Sequence, residues 1–457
     1  MARADTAYVC QSCGTVHSKW QGRCDGCGSW NTLVEEARAG PTSAAPGARA
    51  KTGKLAVHDL GGAAEAPPRL STGIAEFDRV CGGGVVRGSA LLVGGDPGIG
   101  KSTLLLQAAA GAARSGVKAA YVSGEESAAQ IQDRARRLGL ADAPVRLASE
   151  TRLEAVLEGL KAEKPDLVVI DSIQTLWTDT LTAAPGSVGQ VRACAHELTR
   201  FAKTRDAAIV LVGHVTKDGQ IAGPRVVEHM VDAVLQFEGE RGHEFRILRG
   251  LKNRFGATHE IGVFEMSDGG LREVANPSAL FLDARGRRSS GTAVFAGVEG
   301  ARPILIEIQA LCAPAAYGTP RRAVVGWDSS RLAMVLAVLE QRCGLGFAGR
   351  DIYLNVAGGL RITEPAADLA VAAALASAIF DVAPPEDSVA FGEIALTGDV
   401  RAVNRAEARL GEAAKLGFSR ALAPAGGPGG GGVAVTPIAT VADLIAQFDP
   451  GGSEAGA

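Results

Sequence analysis

Ala90-Leu-Leu-Val-Gly-Gly-Asp-Pro-Gly-Ile-Gly-Lys-Ser-Thr103 decides the fold. Ala90 to Val93 reads as a short apolar strand. Gly95-Asp96-Pro97-Gly98-Ile99-Gly100-Lys101-Ser102 fits G-x-x-x-x-G-K-[ST], and Ser102 to Ala113 reads as the helix it opens. A strand, this glycine loop and a helix in that order form a P-loop. The N–H groups of such a loop wrap phosphates, helped by the helix N-terminus. Gly95, Asp96, Pro97, Gly98, Ile99, Gly100, Lys101, Ser102 and Thr103 are therefore the candidate nucleotide contacts. Lys101 is expected to reach the β and γ phosphates of ATP, and Ser102 to ligate Mg²⁺.

Working outward, Leu167-Val-Val-Ile-Asp171 is an apolar strand ending in an acid, about seventy residues after the loop. It reads as a Walker B strand whose Asp171 holds Mg²⁺. Hydrolysis also needs a group to orient the attacking water. The strand Ala119 to Val122 ends at Ser123-Gly-Glu125-Glu126. In RecA-type ATPases a Glu after the strand next to the P-loop strand activates that water. Glu125 is the expected residue and Glu126 the alternative. His214 follows a further strand, Ile209 to Val212, and is a candidate γ-phosphate sensor beside a structural reading. Buried apolar strands separated by helical stretches imply an α/β fold with a parallel sheet covered on both faces. Around Glu244 to Phe264 the pattern alternates as antiparallel strands do, and a break follows at Asn276-Pro277.

The 457 residues suggest roughly three domains. A chain 46% hydrophobic and 21% charged is neither disordered nor fibrous. Its 47 Lys and Arg against 50 Asp and Glu, a formal net of −3, argue against wholesale coating of nucleic acid. They leave room for a local basic groove. Met1 to Trp20 has no apolar core segment, so no signal peptide is expected. With no stretch of ~20 apolar residues, the expected location is cytoplasmic, associated with the nucleoid, with no membrane contact. The expected divisions are a Cys₄ module at 1–34, a flexible linker at 35–68 and an ATPase domain at 69–275. A second α/β domain at 279–448, with helices expected at Ser329 to Arg342, Ala366 to Phe380 and Ala406 to Leu416, precedes a disordered tail at 449–457. The glycine-rich Gly426 to Gly432 reads as a mobile loop.

Four of the eight cysteines fall at Cys10, Cys13, Cys24 and Cys27. Two C-x-x-C knuckles complete a tetrahedral Cys₄ site with no open position, so the expected Zn²⁺ is structural. Lys19, Trp20, Arg23 and Trp30 either contact a nucleic acid or partner, or pack this small module.

These residues together resemble the bacterial RadA (Sms) DNA-repair ATPases over nearly the whole chain. The shared features are the Cys₄ zinc ribbon, Ser71-Thr-Gly-Ile-Ala-Glu-Phe-Asp78, the P-loop, and Tyr121-Val-Ser-Gly-Glu-Glu-Ser127. The most specific is Lys252-Asn253-Arg254-Phe255-Gly256. The resemblance implies a RecA-like P-loop core in a homo-oligomeric ring, a hexamer. It implies ATP-driven movement on single-stranded and branched DNA, with branch migration alongside the RecA recombinase. It also implies that Lys252 and Arg254 act as fingers in a neighbouring subunit's ATP site. Two residues apart on a strand, they share a face. The loop Lys217 to Val227, by the same resemblance, faces the ring's channel, with Lys217 and Arg225 as phosphate contacts.

From residue 279 the chain resembles the proteolytic domain of Lon, an α/β fold of the ribosomal S5 domain 2-like kind. Lon-type proteases use a Ser–Lys dyad. Here the serine's place is taken by Ala366, within Pro365-Ala-Ala-Asp368, and the lysine's by Glu407. Neither an activated hydroxyl nor its base is present, so peptidase chemistry is not expected. The resemblance leaves a scaffold that builds the ring and binds duplex DNA. Arg285, Arg287, Arg288, Arg321 and Arg322 are candidates for its basic surface.

Overall fold

The computed structural model describes residues 6–10, 15–26, 28–37, 67–213, 225–239, 245–282, 289–315, 319–427, 430 and 432–448. Cys13, Cys27, His214, Lys217, Arg285, Arg287 and Arg288, most of the linker, part of Gly426 to Gly432 and the tail lie outside them, as does the side chain of Arg225. The chain divides into two compact units, Met1–Glu273 and Val274–Ala457.

The first unit opens with a small three-stranded antiparallel sheet in which Thr6–Cys10 lies between Val16–His17 and Leu33–Ala37. Its larger part is a nine-stranded sheet. In chain order the strands are β1 (Ala90–Gly95), β2 (Ala119–Ser123), β3 (Arg146–Ser149), β4 (Leu167–Asp171), β5 (Ala208–Val212), β6 (Ala233–Glu238), β7 (Phe245–Asn253), β8 (Ile261–Ser267) and β9 (Gly270–Glu273). Their order across the sheet is β9-β8-β7-β6-β1-β5-β4-β2-β3. Strands β1 to β6 are mutually parallel, and β7 to β9 extend the sheet as an antiparallel meander.

The central parallel strands β1, β2, β4 and β5 are apolar on both faces, which a sheet covered on both sides requires. Leu91, Val93, Tyr121, Val169, Val210 and Leu235 face one core, under the helix α1 (Lys101–Arg114). Ala90, Leu92, Val122, Val168, Ile170 and Leu211 face the other. There they meet α3 (Leu153–Glu163) and α4 (Val188–Arg205). The helix α2 (Ala128–Arg137) links β2 to β3 and starts at a capping box. Ser127 accepts from the Gln130 amide, and the Gln130 side chain accepts from the Ser127 amide.

Two strands of this sheet carry no clear sequence signal. Strand β6 pairs directly with the P-loop strand, Ala233 opposite Leu91 and Phe237 opposite Gly95. It follows the helix Arg225–Met230 within a few residues, so no turn cluster marks its start. Strand β3 is a short edge strand with mostly exposed side chains.

The second unit is built on a seven-stranded sheet. Its order is Arg322–Val325, Arg350–Val356, Arg302–Pro314, Thr292–Glu299, Ser388–Ala390, Arg420–Pro424 and Ala434–Ile438. Thr292–Glu299 and Arg302–Pro314 form a long hairpin. The strand expected at Ile304 to Gln309 is only its middle. Helices occupy Ser329–Cys343, Asp368–Phe380 and Ala406–Lys415, within a residue or two of the expected spans. Asp368–Phe380 is buried on every side from Asp368 to Ser377, which explains its Ala-rich, nearly uncharged sequence. A turn of 3₁₀ helix, Pro365–Ala367, leads into it.

Candidate functional site

The P-loop leaves β1 at Gly95 and enters α1 at Lys101. Gly95 and Gly100 are required by space as well as by backbone angle. A Cβ at Gly95 would sit 2.5 Å from the Phe237 carbonyl oxygen, and one at Gly100 would sit 2.7 Å from the Met266 methyl, where φ is +113°. The amides of Lys101, Ser102 and Thr103 occupy the first turn of α1, where no intrahelical acceptor exists. They are the donors an anion would take.

Lys101 is buried, with 4% of its surface exposed. Its Nζ donates to the carbonyls of Gly95 at 2.7 Å and Asp96 at 2.9 Å. Among the described residues it makes no ion pair. Burial lowers its pKa, against the opposing pull of Asp171, Asp96 and Glu125. A buried ammonium coiled on its own loop, at the mouth of a ring of amides, fits a polyphosphate well.

Asp171 ends β4 beside Ser123, the last residue of β2. Its Oδ2 accepts from the Tyr121 hydroxyl at 2.5 Å. The two glutamates after β2 point to different partners. Ser123 Oγ accepts from both of their amides, at 3.2 Å for Glu125 and 2.9 Å for Glu126. Glu125 Oε1 then accepts from the hydroxyl of Ser172 at 2.6 Å, next to Asp171. Glu126 turns away to an ion pair with Arg134 on α2. Glu125 therefore stands with Lys101 and Asp171, and Glu126 is held by a helix. Sequence reading did not find Tyr121 or Ser172, because both act across strands.

Lys252 and Arg254 lie at the other end of the sheet. Lys252 pairs with Val234 and Asn253 with Ala233, while Phe237 is the residue beside the P-loop. The four-residue offset from Ala233 to Phe237 is about 13 Å of strand. Lys252 Nζ donates to the carbonyls of Glu228 and Val231, both at 2.8 Å. Burial lowers its pKa, with Arg254 adding to the effect. Arg254 donates to Asp232 at 3.1 Å and stays half exposed. The intervening motif residues face a different structure. Asn253 donates to the Val80 carbonyl at 3.4 Å, and its Oδ1 accepts from the Phe255 amide at 2.9 Å. The Phe255 carbonyl accepts from Arg69 at 2.6 Å. A Cβ at Gly256 would lie 3.0 Å from the Cα of Gly82. Of the other arginines in this stretch, Arg249 pairs with Glu238 at 3.5 Å. Arg246 runs back to the P-loop and donates to the Ile99 carbonyl at 3.3 Å.

In the N-terminal module Cys10 and Cys24 are buried in one cluster with Leu33. The Gly26 amide donates to Cys24 Sγ at 3.3 Å, the contact a metal knuckle makes. Gly28 follows at φ +75°. Two expected zinc ligands are thus brought together, and this donor set fits a thiophilic ion. Among the described residues no group of three metal-ligating side chains occurs. Trp20 and Trp30 are exposed, and the Arg23 guanidinium lies 5.9 Å from the Trp30 ring centre.

In the second unit, Ala366 is buried and Glu407 exposed. Nearby, the fully buried Arg409 grips the Glu364 carboxylate and the Ala296 carbonyl, the latter at 2.7 Å. Its guanidinium carbon lies 5.6 Å from the Phe391 ring centre. Arg322 is engaged by the carbonyls of Arg350 and Phe347. Those partners are neutral, and both Arg321 and Arg322 lie exposed.

Residues 68–220 match the family model of an AAA domain, 8–35 that of a rubredoxin metal binding domain, and 316–427 that of subunit ChlI of Mg-chelatase. The chain is 61% identical over 434 residues to the DNA repair protein RadA of Brucella abortus (strain 2308), covering 93% of each chain. It is 48% identical to that of Bacillus subtilis (strain 168), covering 97% of this chain and 99% of the relative. With the protein of the same name from Rickettsia bellii (strain RML369-C) the identity is 52%, covering 92% and 94%. No described helix is long and apolar enough to cross a membrane.

Proposed function

The chain belongs to the family of the DNA repair protein RadA, and from that premise we propose that it is an ATP-driven motor of recombinational DNA repair. It works as a homo-oligomeric ring, a hexamer, on single-stranded and branched DNA, and promotes branch migration together with RecA. It acts in the cytoplasm, at the nucleoid. The observation that carries this reading is the convergence of Lys101, Asp171 and Glu125 on the P-loop, with Lys252 and Arg254 held at the opposite end of the same sheet.

In this mechanism the loop amides and Lys101 bind the β and γ phosphates of ATP. Mg²⁺, held by Ser102 and Asp171, supplies charge neutralisation at those phosphates when it is bound. Glu125 orients the attacking water, with Ser172 fixing its carboxylate. Lys252 and Arg254 are too far along the sheet to serve their own loop, so they serve a neighbour's and stabilise the charge of phosphoryl transfer there. Lys217 and Arg225 hold the DNA backbone. Cys10, Cys13, Cys24 and Cys27 would hold Zn²⁺, which would stabilise the N-terminal module and supply no chemistry. The second unit acts as scaffold and duplex-binding surface. With Ala366 and Glu407 in place of a Ser–Lys dyad, it does not cleave peptides.

The test is ATP turnover and strand exchange in one reaction. Single-stranded DNA should raise ATP hydrolysis, and the protein should extend heteroduplex joints made by RecA only while ATP is hydrolysed. Hydrolysis indifferent to DNA, with joints that never lengthen, would leave a nucleotide-controlled scaffold in place of a motor.

A further inference from the structure

We propose that Tyr121 is a positioning residue for the metal-holding carboxylate, fixing which oxygen of Asp171 is left for Mg²⁺. The inference deepens the nucleotide-site reading and rests on it. Tyr121 lies on β2 and Asp171 at the end of the adjacent parallel strand β4, in register with Ser123. Residues two apart share a face, so Tyr121, Ser123 and Asp171 line one side of the sheet. That side is covered by α1, the helix whose first turn carries Lys101 and Ser102.

The Tyr121 ring is completely buried in the core beneath α1. An aromatic hydroxyl at such depth needs a partner. It has one, Asp171 Oδ2 at 2.5 Å. The aspartate backbone is fixed as well, because the Asp171 carbonyl accepts from the Gly124 amide at 2.9 Å. With the main chain and Oδ2 both held, the carboxylate cannot rotate freely, and Oδ1 is the oxygen free to meet a cation. This is how outer partners orient metal-binding carboxylates, and losing such a partner typically weakens metal binding by about 10- to 100-fold. Arg134 and Glu126 also act electrostatically on the phenol. They bind each other, so neither replaces its hydrogen bond to Asp171.

The substitution Tyr121→Phe removes one oxygen and keeps the ring. The experiment measures binding of fluorescent ADP to the full-length chain, first in EDTA and then across a Mg²⁺ titration. Expected is wild-type ADP affinity in EDTA and a half-saturating Mg²⁺ concentration raised about 10- to 100-fold. A packing defect would weaken both measurements alike, and that result, or an unchanged Mg²⁺ titration, overturns the proposal. Asp171→Asn is the reference. If it also leaves the Mg²⁺ titration unchanged, the metal assignment of Asp171 has failed. If it alters the titration and Tyr121→Phe does not, only the role of Tyr121 has failed.

Discussion

Replacing Glu125 by Gln should abolish most ATP turnover, whereas the same change at Glu126 should barely alter it. The two acids are adjacent in sequence and chemically identical, so the difference comes entirely from the fold. Glu125 shares its surroundings with Lys101 and Asp171 and is aimed by Ser172. Glutamine keeps the shape and the acceptor oxygen of that contact but cannot take a proton. A positioned general base contributes about 10²- to 10⁴-fold, or about 3 to 5 kcal/mol of barrier at 1.36 kcal/mol per decade. Glu126 loses only its ion pair with Arg134, whose two side chains are 29% and 20% exposed. A largely buried pair of this kind costs stability when it is broken, but the loss falls on α2, away from the phosphates. The assay is steady-state ATP hydrolysis with saturating single-stranded DNA, with nucleotide binding measured in parallel to show that both variants still load. A Glu126→Gln protein that is dead while Glu125→Gln still turns over would refute the assignment. So would two variants that both retain turnover within about fivefold of the parent.

Metal analysis of the gently purified protein should give one zinc per chain, and Cys24→Ser should lower it; protein free of zinc, or unaffected by Cys24→Ser, would remove the Cys₄ site. Arg254→Ala and Lys101→Ala should each be inactive alone. Mixed in one ring they should recover part of the activity, because the Lys101→Ala subunit still offers its Arg254 to a neighbour with an intact loop. Mixtures that never exceed the sum of their components would end the case for action between subunits.

What was legible in the sequence is what local chemistry dictates. A phosphate-wrapping loop needs glycine where a side chain would strike Phe237 or Met266, and lysine at a fixed place, so its spacing is readable without the fold. The central strands β1, β2, β4 and β5 are continuous apolar runs because both of their faces are covered. Strand β3 is an edge strand with little to bury, and β6 follows its helix too closely for turn residues to announce it. The site's finer wiring was hidden for a different reason. Tyr121 and Asp171 are separated by fifty positions, and Glu125 differs from Glu126 only in the partner that each meets, Ser172 or Arg134.

The Lys252 to Gly256 motif shows how one short segment serves two demands that its sequence does not separate. Asn253, Phe255 and Gly256 tie the end of β7 to Arg69 and the Val80 to Gly84 turn, and a side chain at Gly256 would collide with Gly82. Lys252 and Arg254 alternate with them and so project to the opposite side, toward Glu228, Val231 and Asp232. Those contacts are mostly to backbone carbonyls, and Arg254 remains half exposed. Arg254 disfavours charge on Lys252, and Asp232 and Glu228 favour it. The two cations' own P-loop cannot supply the compensating anion, because it sits about 13 Å away along β6. Within the chain Asp232 and Glu228 already offset part of that repulsion, and the proposed ring would add a neighbouring subunit's phosphate as a further anion. Asp232, which accepts from Arg254 through one oxygen and from the Ala90 amide through the other, fixes the direction in which it is met.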